Sequence, residues 1–552
     1  MYFSRSPLAL SRSLRNRVVT QIWYTHIATY STSSPRHHDH VGSTRPTPTD
    51  TTAIDIKEST KIINEGAKES YNKTDSTSAL SILPLSAVIR TLAITTLTSV
   101  PFLLGPALAA LSVLANSKSR ILDPNKNVIV NAILRKTIYS QFCAGETPTE
   151  VRKTIADLKR LGFAGVILGY GREVVMDGTE TSMFEHQSGK DVAEQETSQS
   201  EQNLREIQEW KQGTMQTVDL ADAGDFVALK FTGAGREALR HLVQGLPPSP
   251  NLQEAINEIC DRAKDRQILL LFDAEQHAVQ NTIDSWVLDL QRRYNKFFTI
   301  QGKPRALIYN TYQAYRQSTP KTLASHLSIA QRESFVMGVK LVRGAYLNSD
   351  PRRLFWTTKQ QTDDAYDAIA KCLMTRKYND LVEPDRGSSS CAFPQADLVL
   401  ASHNRASVDK ARALRDEQSR RGEPSIQMVY GQLQGMADDI SCPLVRQSMI
   451  TASRGRTGET PKPYKYLVWG TVGECTKYLL RRGHENRDAA SRTKDTRTAM
   501  WKELKRRAWM GGISSLREAT HSDLVNIHMS STSFIPHLIM AYLKLLRFRP
   551  CK

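Results

Sequence analysis

The chain has 552 residues, of which 40% are hydrophobic and 24% charged, and this composition excludes a chain disordered throughout and a polytopic membrane protein. The net charge of +18 is unevenly placed, because residues 1–38 and 474–552 together carry +14 of it, so a nucleic-acid surface spread over the fold is not supported. Seven cysteines without a CxxC pair disfavour a disulfide scaffold and a structural zinc site, and they favour a reducing compartment.

The first segment has the composition of a mitochondrial transit peptide. Residues 1–38 contain five Arg residues among Leu, Val, Ile, Ser and Thr, and no acidic residue. Arg interrupts every apolar run, which disfavours a secretory signal, and a disordered basic tail is the other alternative. Residues 39–78 are rich in Thr, Ser, Pro and Lys and have little to bury, so they are predicted to form a disordered linker.

An uncharged apolar stretch follows at 91–115, inside a predicted N-terminal helical region, 79–149. By length it could cross a membrane, which takes about 20 apolar residues. Pro101, Gly105 and Pro106 weaken a straight span. We therefore expect a bent pair of hydrophobic helices that packs on the fold or lies in a membrane face, while a true span stays open.

Eight β-rich runs then alternate with stretches of helical periodicity. The runs are 163–170, 225–231, 267–275, 305–313, 335–346, 397–404, 425–433 and 464–470. The helical stretches are 150–161, 250–264, 276–295, 314–329, 362–376, 405–418, 436–449 and 472–485. This alternation predicts an α/β fold with a closed parallel (β/α)8 barrel of the TIM type over 150–486. An open doubly wound sheet would alternate too, but no Gly-rich phosphate loop follows the first strand.

Two further regions do not read as barrel elements. Residues 174–215 are polar and far longer than a usual βα loop, so they are predicted to be a mobile insertion. Residues 487–552 are predicted to form a basic helical extension. Its apolar run at 533–548 suggests an amphipathic helix that docks on the barrel, a partner or a membrane surface.

Polar and aromatic residues occur at the predicted carboxyl ends of the strands, where such a barrel places its reactive groups. They are Lys230, Asp273, Glu275, Gln313, Lys340, Arg343, Tyr346, His403, Asn404, Gln432, Leu433 and Tyr466. Four more, spaced to share one helical face, follow the last strand: Tyr478, Arg481, Arg482 and Glu485. Taken one at a time, these residues also have structural explanations. A lysine could be neutralised by a nearby acid, a histidine could be satisfied within the core, and the arginines could form ion pairs on a solvated helix face. Their convergence at one mouth favours a site with a paired-guanidinium grip for an anion, without a metal.

Seven motifs resemble proline dehydrogenases, the mitochondrial flavoenzymes of proline breakdown. They are ALKFTG (228–233), FDAEQ (272–276), IYNTYQ (308–313), VKLVRGAY (339–346), ASHN (401–404), YGQLQGM (430–436) and YLLRRGHEN (478–486). The resemblance spans most of 120–490, and the presequence and the polar insertion fit a fungal-type or similar eukaryotic member. It implies a distorted (β/α)8 barrel that binds FAD and oxidises L-proline to Δ1-pyrroline-5-carboxylate by hydride transfer to flavin N5. It also implies ubiquinone as the electron acceptor and a location on the matrix side of the mitochondrial inner membrane.

The resemblance assigns roles to single residues. Arg481 and Arg482 match the pair that grips the substrate carboxylate, and Lys230 matches a third cation beside it. Asp273 matches the carboxylate that organises the site, and Glu485 the acid that holds the arginines. The residues that match the pocket walls and the residue covering it are Leu433, Tyr466, Tyr478 and Tyr346. The residues that match cofactor contacts are Gln313, Lys340, Arg343, Gly344, Ala345, His403 and Asn404.

Two positions depart from the bacterial form of the family pattern, and a third departs from a residue that is common in the family. Lys340 stands where that form has an Arg near flavin N5, and Arg343 stands where it has a Lys. A lysine supplies a point charge rather than a bidentate fork, so its contact to the flavin should differ. Leu347 replaces a Trp that is common after the motif tyrosine, so that wall should differ as well.

Three other functions stay open. A hydroxyproline dehydrogenase would share the fold and the flavin, and a bulky Tyr466 is expected to crowd the hydroxyl of its substrate. A Schiff-base aldolase would use Lys230 or Lys340 as the nucleophile. A non-catalytic, membrane-bound barrel has no need of buried cations, which argues against it. No residue is assigned as a general base.

Overall fold

A computed structural model describes the chain between residues 78 and 519, with seven internal gaps, four of which are single residues. The described ranges are 78–99, 101–117, 119–171, 195–347, 349–384, 392–453, 460–488 and 490–519. The predicted transit peptide, nearly all of the predicted linker and the apolar run 533–548 lie outside the described residues. The same is true of residues 174–194 in the predicted insertion.

Eight parallel strands close into one barrel, as the sequence predicts. Each strand pairs with the next one along the chain, and the last pairs with the first, so that Ile167 lies opposite Tyr466. The strands are almost wholly buried on both faces, which explains their continuous apolar character. They are β1 Gly165–Tyr170, β2 Phe226–Leu229, β3 Leu269–Phe272, β4 Ile308–Gln313, β5 Met337–Val342, β6 Ala396–Ala401, β7 Gln427–Leu433 and β8 Pro463–Trp469.

Helices surround the barrel and extend beyond it at both ends of the described chain. A two-stranded hairpin, Thr299–Ile300 with Lys303–Pro304, precedes β4. The helices before β2 are α1 Leu85–Ser99, α2 Pro101–Asn116, α3 Val128–Leu134, α4 Pro148–Arg160 and α5 Gln195–Leu220. Those that follow are α6 Arg236–Gln244, α7 Pro250–Asp265, α8 His277–Tyr294, α9 Thr319–Glu333, α10 Lys359–Thr375, α11 Arg405–Arg420, α12 Asp438–Ser453, α13 Val472–Asp488 and α14 Ala490–Ala519.

Local sequence signals set several of these helix ends. Helix α10 begins with a capping box, in which Thr358 and Gln361 bond each other's backbone amides. Helix α4 begins with Pro148 in its first turn, after Thr147 has capped the amide of Glu150. Helix α6 ends at Gly245, whose φ of 69° is left-handed and therefore favours glycine.

The predicted insertion 174–215 is in part a barrel helix, so the prediction that all of it is a mobile loop is wrong. Helix α5 runs for 26 residues and connects β1 to β2. Its polar residues cover an exposed face, whereas Ile207, Trp210 and Val218 are buried against the barrel. Sparse apolar residues on a mostly polar helix carry a weak periodicity, which is why the sequence alone did not reveal it.

Aromatic rings close the amino-terminal end of the barrel. The Phe226 ring meets the rings of Tyr309 and Tyr464 edge-on, with centroid separations of 5.3 and 5.5 Å. All three side chains are buried. Because this end is filled by packed rings, the opposite end, where the strands finish, is left to position polar groups.

The apolar stretch 91–115 forms parts of two helices with a sharp bend between them. No single described helix is long and apolar enough to cross a membrane, but Leu85–Ser99 and Leu104–Ala115 together would be by length and composition, with a bend of 103°. Helix α2 packs on α13, and α1 packs on α14. The N-terminal pair therefore covers the helix that carries the two candidate arginines, Arg481 and Arg482.

Candidate active site

Asp273 is the centre of a buried polar cluster at the carboxyl ends of the strands. It follows β3 directly and forms an ion pair with the ammonium of Lys340 on β5. The Tyr466 hydroxyl on β8 donates to its other oxygen, Oδ2, at 2.9 Å. The Lys340 ammonium also lies 5.1 Å from the centroid of the Tyr466 ring. The barrel thus joins three strand ends that are 67 and 193 residues apart in sequence.

Lys230 lies beside the same carboxylate, at the end of β2. Burial alone would raise the pKa of Asp273, but the charges of Lys340 and Lys230 outweigh it, and the pKa is lowered. Glu275, two residues further on, keeps a raised pKa because burial dominates there, although Lys230 acts against it. Asp273 is therefore the ionised partner of the lysines, and Glu275 holds its proton more readily.

Hydrogen bonds with neighbouring residues hold Glu275 and Gln313 in place. The amide and the hydroxyl of Thr232 both donate to the Glu275 carboxylate. Gln313 Nε2 donates to the Glu275 carbonyl at 3.3 Å. Gln280 Oε1 accepts from the Glu275 amide at 2.8 Å, and its Nε2 donates to Asp284 at 2.8 Å. Gln313, predicted to contact a flavin, thus bonds Glu275, which Gln280 of α8 in turn supports.

Arg343 is directed towards protein partners around the loop that follows β5. Its Nε donates to Asp363 at 2.7 Å, and its two Nη groups donate to Ser402 and Ser407 at 2.6 and 2.8 Å. Its guanidinium also lies 4.3 Å from the centroid of the Tyr366 ring. Arg343 therefore joins the β5 loop to α10 and to the β6 loop. Sequence analysis did not find these partners, because nothing in their local sequence marks them.

Gly344 has a structural reason to be glycine besides its predicted approach to a cofactor. Its φ of 143° is rarely adopted by other residues, and a side chain there would collide with the ring of Tyr315. Tyr315 is itself stacked on Phe355, with centroids 4.3 Å apart. The next residue, Ala345, is exposed. Tyr346 is half-buried, and its hydroxyl donates to the Ala274 carbonyl at 3.4 Å, so it bridges the ends of β5 and β3.

The β6 and β7 ends meet through His403. Its Nε2 accepts from the amide of Leu433 at 3.0 Å, so this nitrogen is unprotonated in the structure. Asn404 caps α11 by accepting from the Ser407 amide, and it also donates to Asp363 at 3.3 Å. His403 and Asn404, both predicted to contact the cofactor, are therefore held in place by hydrogen bonds to neighbouring protein groups.

Gln432, like Glu275, is a strand-end residue to which sequence analysis assigned no role. It is 1% exposed, and its Nε2 donates to the Ser402 carbonyl at 3.4 Å. Its Oε1 is buried and has no hydrogen-bond partner among the described residues. A buried acceptor left open in this way is rare and marks a place where a ligand donor is expected.

Helix α13 brings the candidate arginines beside the aromatic wall. The Arg482 guanidinium lies 4.9 Å from the centroid of the Tyr478 ring and is 5% exposed. Arg481 is half-buried on the same helix. Tyr478 and Tyr466 belong to one apolar cluster. Residue 485 lies within α13, but the Glu485 side chain lies outside what the structure describes, so its predicted grip on the arginines stays a prediction.

The groups at the mouth fit the edge of a flavin ring. A flavin offers carbonyl acceptors and one N–H donor, and the mouth offers the donors Gln313 Nε2 and Lys340 Nζ together with the open acceptor Gln432 Oε1. A cavity of about 30 Å³ lies beside Lys230, Asp273 and Tyr466. It holds little more than one water, so a larger ligand would lie over the mouth rather than within this cavity.

The chain forms a closed (β/α)8 barrel whose strand ends bring together lysines and a carboxylate. An arginine pair lies on the helix after the last strand. These features define a class of TIM-barrel enzymes with a cationic site at the carboxyl ends of the strands. A sequence profile of the proline dehydrogenase family matches residues 151–495, which is more than half of the chain. The chain therefore belongs to the proline dehydrogenase family and is an enzyme of that type.

The chain is similar to individual proteins of known name. The probable mitochondrial proline dehydrogenase of Schizosaccharomyces pombe is 30% identical over 421 residues, covering 69% of this chain and 81% of that protein. The hydroxyproline dehydrogenase of Bos taurus is 26% identical over 409 residues, covering 68% and 82%. Among solved structures, proline utilization A of Bdellovibrio bacteriovorus, inactivated by N-propargylglycine, has a TM-score of 0.49 at 15% identity, covering 79% of this chain and 42% of that chain.

Proposed function

We propose that this enzyme oxidises L-proline to Δ1-pyrroline-5-carboxylate, with FAD as its cofactor and ubiquinone as the electron acceptor. The observation that carries the proposal is the Asp273 cluster with Lys340 and Tyr466, at the mouth of a barrel of this family. When bound, the flavin supplies the two-electron chemistry. The residues that would hold it are Gln313, Lys340, Arg343, Gly344, Ala345, His403 and Asn404.

The chain's own side chains bind and orient the substrate. Arg481 and Arg482 would grip the carboxylate of proline with planar, charge-assisted donors, and Lys230 would add a third cation. This fixes the ring of proline in one orientation, which lowers the barrier by positioning. The rings of Tyr466 and Tyr478, with Leu433 and Tyr346, would exclude water and set the size of the substrate. Tyr466 and Tyr478 belong to one apolar cluster, which supports that role for these two residues.

Lys340 would place positive charge where negative charge develops during the oxidation. Its ion pair with Asp273 holds the ammonium at a set position in a buried environment, where a fixed charge acts more strongly than in water. Asp273 also fixes the Tyr466 hydroxyl and therefore the orientation of that wall. An ammonium engaged in this way is a poor nucleophile, which argues against a Schiff-base aldolase at Lys340.

We place the enzyme on the matrix side of the mitochondrial inner membrane. The Arg-rich, acid-free composition of residues 1–38 supports import into the mitochondrion. Ubiquinone is soluble in lipid, so an enzyme that reduces it has to reach a bilayer. The curated relatives of Schizosaccharomyces pombe and Drosophila melanogaster carry the word mitochondrial in their names.

Hydroxyproline is the second candidate substrate, because hydroxyproline dehydrogenases of Bos taurus and Mus musculus are each 26% identical to this chain. The Tyr466 hydroxyl favours proline over it, since Asp273 holds that hydroxyl against the pocket and leaves less room for a ring substituent. An anaerobic titration of the purified protein with each imino acid decides between them. We expect flavin absorbance bands that bleach with L-proline. Bleaching by hydroxyproline alone would reverse the assignment, and a protein without flavin bands would overturn it.

The carboxylate grip is tested by Arg482→Met. We expect the KM for L-proline to rise by at least about 30-fold, because removing one buried, charge-assisted donor leaves the carboxylate under-paired. Lys477→Met is the control, since Lys477 is exposed on the same helix. Steady-state kinetics with a soluble dye acceptor measure both variants. An unchanged KM in Arg482→Met would remove Arg482 from the substrate site.

A further inference from the structure

Large apolar side chains are exposed along one segment near the N-terminal end of the described chain. Between residues 102 and 133, six of them are 56–81% exposed. They lie on α2, on α3 and in the segment between these helices, and together we call them the apolar face: Phe102, Val113, Ile121, Val128, Ile129 and Ile133. Soluble proteins expose single apolar residues often, but a run of this kind marks a contact surface.

The helices that carry this face share one packing site. Leu111 of α2 and Leu134 of α3 are buried in the same cluster as Tyr478 and Leu479 of α13. The exposed residues of α2 and α3 are those that point away from this cluster. The apolar face therefore lies on the outer side of a layer that covers α13.

The charges beside the apolar face are almost all positive. Residues 85–142 contain six Lys and Arg residues and one acidic residue, Asp123. Arg135 is tied to Glu146 and Glu150 at the edge of the layer. The exposed cations of this segment that the structure describes are Arg120, Lys126 and Lys136. Apolar side chains with a cationic rim match a phospholipid surface that carries negative charge.

We propose that the apolar face docks this enzyme on an anionic phospholipid bilayer and that it lies in the surface of the bilayer. The bend of 103° between the two apolar segments favours this placement over a straight span. The surface includes Ile121, Val128, Ile129 and Ile133, which lie outside the apolar stretch 91–115.

Docking through this face sets the distance between the bilayer and the substrate helix. Helix α2 packs directly on α13, so closely that a side chain at Gly483 would lie 2.5 Å from Leu108 Cδ2. Only this one layer separates the docked face from the helix of Tyr478, Arg481 and Arg482. A lipid-soluble electron acceptor then has a short path to the mouth, a consequence that rests on the proposed function.

Vesicle flotation tests the apolar face with the full-length protein. The triple variant Val128→Ser/Ile129→Ser/Ile133→Ser is compared with Phe297→Ser, because Phe297 is 82% exposed and lies outside the apolar face. On phosphatidylcholine vesicles with cardiolipin, we expect the triple variant to bind about tenfold more weakly and Phe297→Ser to bind as the parent does. The parent should bind more weakly to vesicles without cardiolipin and in high salt.

Three results would overturn the proposal. The triple variant could bind the anionic vesicles as tightly as the parent, the parent could ignore cardiolipin, or the triple variant could dissociate an oligomer in gel filtration, which would identify the face as covered by a second copy. A thermal melt equal to that of the parent shows that the variant is folded.

Turnover with two acceptors separates this proposal from the proposed function. We expect the triple variant to keep its rate with a soluble dye and to lose rate with a quinone embedded in vesicles. If the parent oxidises no proline with either acceptor, the proposed function fails. The binding difference between the variant and the parent still decides the docking surface, because flotation requires no turnover.

Discussion

Asp273 is a single carboxylate that holds two groups of the mouth in place. It pairs with the Lys340 ammonium and accepts from the Tyr466 hydroxyl, and Lys340 is only 6% exposed. A buried pair of this kind contributes little compared with two apolar residues, but it becomes costly when one partner is removed. The pair can therefore hold the groups at the mouth in place only when both Asp273 and Lys340 are present.

Asp273→Asn is expected to lower the free energy of unfolding by about 3–5 kcal/mol, because it leaves a buried ammonium without its counter-ion. Asp222→Asn is the matched control, since Asp222 also pairs with a lysine, Lys159, but is 66% exposed. The control should cost less than about 1 kcal/mol. Urea unfolding measures both. Equal losses would show that the Asp273 pair does not stabilise the mouth.

Gly344 and Gly422 allow a matched test of the loop after β5. Both have positive φ, but a side chain at Gly344 would strike Tyr315, whereas Gly422 has nothing within 4 Å. We expect Gly422→Ala to cost about 1 kcal/mol from backbone strain alone. Gly344→Ala should cost clearly more and also weaken FAD binding, as followed by flavin fluorescence. A loss no greater than that of Gly422→Ala would show that the loop can move away from Tyr315.

At the scale of elements, a half-buried acid joins helix α8 to strand β4. Asp284 Oδ1 accepts from Asn310 on β4 at 2.9 Å and from Gln280 at 2.8 Å. Burial raises the pKa of Asp284 to about 6, in spite of these hydrogen bonds. The same Gln280 supports Glu275, so the protonation of Asp284 affects the packing directly behind the mouth.

The free energy of unfolding should depend on pH through the ionisation of Asp284. The folded state binds the Asp284 proton more tightly than the unfolded state, so stability is greatest below the ordinary pKa of 3.8 and declines as the pH rises to about 6. The loss would reach at most about 3 kcal/mol. Asp284→Asn should abolish this component, whereas Asp289→Asn, an exposed position on the same helix, should not. Urea unfolding at several pH values measures it, and identical profiles in both variants would contradict it.

At the scale of the whole molecule, α14 binds the first described residues to the rest of the fold. Arg507 donates to the carbonyls of Leu80 and Leu83 at 3.0 and 2.8 Å. Glu503, which is fully buried, orients the same guanidinium. Helix α14 therefore holds the segment that leads into α1, and with it the layer that covers α13.

Arg507→Met is expected to lower the free energy of unfolding by about 1–3 kcal/mol, because the Leu83 carbonyl loses its donor and the Leu80 carbonyl keeps only the amide of Leu83. It should also speed limited proteolysis before α1. Lys502→Met is the control on the exposed side of the same helix. Cleavage at the same rate in both variants would show that the N-terminal segment does not depend on Arg507.

Much of the fold was accessible from sequence, and the site only in part. The eight runs predicted as strands each overlap an observed strand, because buried parallel strands are continuous apolar segments bounded by turns. Helix α5 was missed, since its buried side chains are few among polar residues. Lys340 and Asp273 were each selected as strand-end residues, and an acid that neutralises a strand-end lysine was one alternative, but the sequence did not decide which acid pairs with which lysine. The partners of Arg343 carried no local signal.

The sequence by itself determined the barrel, the order of its elements and the family, because these follow from local periodicity and from motifs that are short and contiguous. Only the tertiary structure decided which charged groups pair, which glycine is sterically required and which apolar residues stay exposed. The physical reason is that closing the barrel brings together residues 67 or more positions apart, such as Lys340 and Asp273. Coulomb attraction and steric exclusion act over these distances in space, and the spacing along the chain does not encode them.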